Sequence, residues 1–96
     1  MSEREFEAAM RDIYTRASNE TGYRPTYLLR LISERGGLGA ARHLLSGPIS
    51  PGFGTLAELG RLDLSVESLV LNSNWQSLFS SSELAIARRR LGVRSK

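Results

Sequence analysis

The stretch Gly52–Leu71, GFGTLAELGRLDLSVESLVL, does most to restrict the fold, because it places two short apolar-periodic segments on either side of a hinge at Arg61–Asp63. Leu56, Leu59 and Leu62 recur at helical spacing and are expected on one face of a short helix. Thr55 offers a hydroxyl to the early N–H groups of that helix. Gly60 weakens the run by about 1 kcal/mol relative to Ala. In the second segment Ser65 is the expected N-cap, with Leu64 and Leu69 at the N′ and N4 positions of a hydrophobic staple. Val66, Leu69 and Val70 give it an apolar face. Two helices across a tight turn match a helix-turn-helix in outline. Leu59 and Asp63 stand where that motif usually has a small residue and a glycine, so two ordinary core helices are the competing reading.

The N-terminal half is expected to be helical. Ser2-Glu3-Arg4-Glu5 forms a capping box, with glutamates in the first turn complementing the helix dipole. Phe6, Ala9, Met10, Ile13 and Ala17 then mark one face of a helix from about Glu3 to Ser18. Arg24-Pro25 breaks the chain, since a residue before proline is pushed away from helical angles, and Pro25 suits a first helical position. Tyr27, Leu28, Leu31 and Ile32 face inward on a second helix that stops at Gly36-Gly37. Leu38, Ala41, Leu44 and Leu45 describe a third, with Gly47 as its C′ glycine and Pro48 following. Between Ser46 and Gly54 the composition predicts the one substantial loop, pinned by Ile49 and Phe53.

After Asn72-Ser73-Asn74, Trp75, Leu78 and Phe79 supply apolar bulk. Ser80 with Glu83 makes a second capping box and Phe79 with Leu84 its staple. Leu84, Ala87 and Leu91 face inward on the last helix, which ends at Gly92. No alternating β-branched or aromatic run appears. The expected fold is therefore all-α, a single compact domain of five or six short helices over 1–92, with a short basic tail at 93–96.

Composition narrows the function classes. Ninety-six residues allow one modest core. With no cysteine, disulfides and thiolate metal sites are excluded. No apolar run approaches the roughly 20 residues of a membrane span, and the charged N-terminus does not resemble a signal peptide, so a soluble cytoplasmic protein is expected. The net charge of +3 is uneven: Arg88, Arg89, Arg90, Arg94 and Lys96 carry five positive charges, and the rest of the chain is net −2. Twelve of the thirteen cations are arginine, which favours planar recognition of carboxylate or phosphate; a GC-rich coding sequence gives the same bias.

The candidate polyanion or partner contacts are accordingly Arg89, Arg90, Arg94 and Lys96. Successive helical residues spread over about 200° in three positions, so Arg88, Arg89 and Arg90 cannot all face one ligand. Spacing from Leu84 and Leu91 puts Arg88 near the buried face and leaves Arg89, Arg90 and Arg94 toward solvent. A weaker candidate surface combines Tyr23, Arg24, Tyr27 and Arg30, whose rings and guanidinium groups could stack bases or partner side chains. Half-buried packing is the plainer role for those tyrosines. Gly37-Leu38-Gly39-Ala40-Ala41 lacks the preceding strand, third glycine or Gly-Lys-Ser/Thr of phosphate-binding loops, so turn glycines explain it. His43, the only histidine, has no partner at a spacing that marks a metal site or a catalytic triad. No catalytic residue, metal or cofactor is assigned.

The phrases YRPTYLLRLISERGGLGAARHLL, GFGTLAELGRLDLSVESLVL and LFSSSELAIARRRL together resemble an uncharacterised family of short bacterial helical proteins and appended domains. The likeness spans about Tyr23 to Leu91, with GRLDLSVESLVL and ELAIARRRL its most specific parts. It implies a small soluble bacterial domain and carries no catalytic residue with it. The leading expectation is a non-enzymatic helical module that binds another protein, as a small bacterial or mobile-element regulator or inhibitor. The alternative is a nucleic-acid-binding domain using the Arg-rich last helix and the loose helix-turn-helix at 55–71.

Overall fold

A computed structural model describes residues 2–92, so Arg94, Lys96 and the basic tail at 93–96 lie outside the described residues. Within it the chain forms α1 (Glu3–Thr21), α2 (Thr26–Ser46), α3 (Pro51–Glu58), α4 (Val66–Val70) and α5 (Ser81–Leu91). Single 3-10 turns occupy Leu62–Leu64 and Gln76–Leu78, and no strand occurs among the described residues. The all-α, single-domain expectation holds.

Both capping boxes form as the sequence predicts. The Ser2 hydroxyl accepts from the Glu5 N–H at 3.2 Å, and Glu5 Oε1 accepts from the Ser2 N–H at 2.9 Å. The Ser80 and Glu83 pair closes at 3.1 and 2.8 Å in the same reciprocal way. Gly22 and Gly92, both left-handed, end α1 and α5.

α1 lies mainly along α2, and α4 packs against α5 and the other two long helices. The core between them comprises Phe6, Met10, Leu28, Ile32, Leu45, Val70 and Ala87, all almost fully buried. Trp75 and Phe79 meet Phe6 edge-on with ring centroids 5.5 Å away in each case, so Trp75 closes the core as a lid. A smaller cluster of Ala17, Leu56 and Leu64, covered by Tyr23 and Leu62, sits at the far end of α1. No helix is long and apolar enough to cross a membrane among the described residues.

The expected second and third helices are one bent element. At Gly36 the backbone turns to φ 76° and ψ 168°, a region that only glycine enters without strain, and helix resumes at once. Gly37 then lies so close to α1 that a Cβ there would sit 2.5 Å from Glu7 Cα. Its N–H, without an intrahelical partner after the kink, donates to Glu7 Oε1 at 2.9 Å.

Five local expectations need correction. Gly47 is extended at φ −100°, not a left-handed C′ glycine. The loop is short, because Ser50 caps α3 by accepting from the Phe53 N–H at 3.2 Å and Pro51 takes its first turn. Thr55 is therefore inside the helix and bonds back to the Pro51 carbonyl. Leu59 is 47 % exposed, since α3 ends at Glu58 and the left-handed Gly60 turns the chain before Leu62. Ile49 is 56 % exposed and pins nothing, whereas Phe53 is buried as expected.

Candidate functional site

The end of α2 creates the site. Its last carbonyls lack intrahelical partners, and an extended Gly47 supplies no closing turn. Arg90 of α5 fills that role. Its Nη1 donates to the Leu44 carbonyl at 3.0 Å, and its Nη2 donates to the carbonyls of Leu45 and Gly47. The same Nη1 donates to Glu67 Oε2 at 3.0 Å. The Arg90 and Glu67 side chains are only 10 % and 5 % exposed. The planar five-donor guanidinium is suited to serving several acceptors at once.

This overturns the expectation that Arg90 faces solvent. α5 packs through Ala87, and Arg90, three residues on, lies on that inward side. Arg88, one residue and about 100° from Ala87, is exposed rather than near the buried face, and so is Arg89. Glu67 was not singled out from sequence. Its position three residues before Val70 and beside Val66, in a short helix with two buried valines, was the available signal.

Beside the ion pair an open groove of about 500 Å³ runs between the chain after α2 and the outer side of α5. Leu45, Pro48, Ile49 and Ile86 give it an apolar lining, and Arg89 and Arg90 border it. No carboxylate lines it among the described residues. The Arg89 side chain has no hydrogen bond or ion pair among the described residues. Arg90 is already engaged by Glu67 and three carbonyls, so Arg89 sets the groove's charge.

The weaker surface does not assemble as a stacking platform. Tyr23 and Tyr27 converge on Gly52, where a Cβ would lie 2.9 Å from the Tyr23 hydroxyl and 2.7 Å from Tyr27 Cε1. The Tyr27 hydroxyl stands 3.4 Å from Ser50 Oγ, and burial pushes both phenols up from their ordinary range. Arg24 and Arg30 are exposed on their own. A cavity beside Tyr27, Ser50, Ser65 and Glu67 holds about 20 Å³, room for roughly one water.

The remaining candidates serve the fold. The Gly37 N–H is occupied by Glu7, so the protein's own carboxylate sits where a phosphate would have to bind. His43 is exposed, and no group of three metal-ligating side chains occurs among the described residues. The helix-turn-helix outline lacks a usable recognition helix: α4 has five residues, every one buried or half-buried, with Val66, Glu67 and Val70 facing the core. A recognition helix must present several side chains to base edges in the major groove.

No protein-family model, no curated protein and no solved structure matches this chain.

Proposed function

We propose that the domain is a non-enzymatic helical interaction module that binds another protein through the groove between the end of α2 and α5. The observation that carries this reading is the exposed Ile49, set in an apolar lining beside Arg89, whose side chain has no partner among the described residues. A contiguous exposed apolar patch rimmed by polar groups is a mark of interaction sites. The groove walls are tied together by Arg90, so a partner meets a surface that is already formed. A regulator or inhibitor of a larger protein suits a module of this size that brings no chemistry of its own.

Nucleic-acid binding through the last helix would have to use Arg88 and Arg89 with Arg94 and Lys96, since Arg90 is committed to Glu67 and the α2 carbonyls. The test compares both readings on the intact chain. An identified partner, purified and recombined with the domain, is expected to bind stoichiometrically and to be lost with Ile49→Asp at an unchanged melting temperature. Duplex DNA is expected to show no retention in a mobility-shift series at about 0.15 M salt. DNA binding that weakens steeply with salt, with a log–log slope falling by about 0.9 for each cation removed, would replace the protein-binding reading.

A further inference from the structure

Resting on that reading of the groove, we infer that its occupant is a short acidic segment of the partner protein that inserts one bulky aliphatic side chain between Ile49 and Ile86 and sets a carboxylate against Arg89. Leu45, Pro48, Ile49 and Ile86 offer only apolar contact, which suits an aliphatic anchor. At about 500 Å³ the groove falls within the roughly 300–1,000 Å³ of ordinary ligand sites, enough for an anchor and its neighbours but not for a folded domain.

Charge selects the sequence around the anchor. Glu67 neutralises Arg90 inside the protein, while Arg89 is exposed with no acidic partner among the described residues. Exposed Arg88 follows Ala87 on the same helix and adds to the positive field. Because no carboxylate among the described residues lines the groove, a basic segment would meet like charge at its rim. An acidic segment gains a planar arginine partner able to hold a carboxylate with two donors.

The experiment uses the full isotope-labelled chain and three end-blocked synthetic peptides with a central leucine. One is flanked by aspartates and glutamates, one by lysines, and one is acidic with the leucine replaced by serine. The acidic leucine peptide should shift the resonances of Ile49, Ile86 and Arg89. The lysine and serine peptides should bind about tenfold more weakly or not at all, about 1.4 kcal/mol by the standard conversion. Arg89→Glu should reverse the preference, so that the lysine peptide binds better.

Equal binding of acidic and basic peptides, a preference that survives Arg89→Glu, or no shift at the groove with any peptide would overturn the inference. So would concentration-dependent shifts at these residues without peptide, which would make a second copy of the chain the occupant. If the peptides fail while partner capture still requires Ile49, the acidic occupant is wrong and the docking reading stands. If capture persists with Ile49→Asp, the docking reading itself fails.

Discussion

Arg90 shows how much a single side chain can decide. Its guanidinium closes the end of α2 and holds a buried carboxylate, so removing either partner leaves the other without compensation. Arg90→Gln or Glu67→Gln is expected to cost about 3–5 kcal/mol, read as a lower urea midpoint at unchanged slope. Arg88→Gln and Arg89→Gln should each stay within about 0.5 kcal/mol, because both side chains are exposed. If all three arginine variants melt together, Arg90 has been wrongly placed inside. Three consecutive arginines carry no phase of their own, and the leucines at 84 and 91 set the wrong one. Ala87 is the residue of α5 that is fully buried, and packing through it turns Arg90 inward.

Among the elements, α1 and α2 meet where two glycines permit it. Gly36 makes the bend and Gly37 lets the backbone of α1 pass. Gly37→Ala would force its Cβ to 2.7 Å from Glu7 Cβ and 2.5 Å from Glu7 Cα, where no flexible side chain can yield. A loss of about 1–3 kcal/mol or more is expected, measured by chemical denaturation. The start of α1 and both ends of α5 were legible because capping boxes and a terminal glycine are local chemistry, complete within a few residues. At its other end α1 runs on to Thr21, three residues past the Ser18 read as its end. α3 was misplaced although Ser50-Pro51 is itself a start signal; two glycines in its first half made the stretch look like loop. Gly36-Gly37 was read as a helix end, because a bend carries the same local signal. The bend depends on Glu7, thirty residues away, accepting the exposed N–H. The groove was the least legible feature, since it arises only when the Pro48-Ile49 turn settles beside α5.

At the scale of the whole molecule, stability is unevenly distributed between a large core and a small one. Phe6, Met10, Ile32, Leu45 and Val70 bring three helices together in the main core, whereas Ala17, Leu56 and Leu64 form a satellite cluster at one end. A surface clip spans that end. Arg61 pairs with Glu20 of α1 at 2.6 Å and with Asp63 at 3.0 Å, and Glu20 also meets Arg16 at 3.0 Å. Hydrogen bonds from Arg61 and then Arg16 hold the Glu20 carboxyl below its ordinary value, and Arg61 does the same for Asp63. A carboxylate depressed in the folded state stabilises it above the unfolded pKa and loses that contribution as pH falls through the folded one. The clip should therefore weaken from about pH 5 downward, and high salt should weaken it near neutrality because its charges are exposed. Amide exchange should consequently rise first around Ala17, Leu56 and Leu64 on acidification, while Met10 and Val70 stay protected. Arg61→Gln should show the loosened satellite already at neutral pH and respond less to acid than the wild type. Uniform loss of protection across both clusters, or an acid response unchanged in Arg61→Gln, would mean that the clip does not hold this end of the domain.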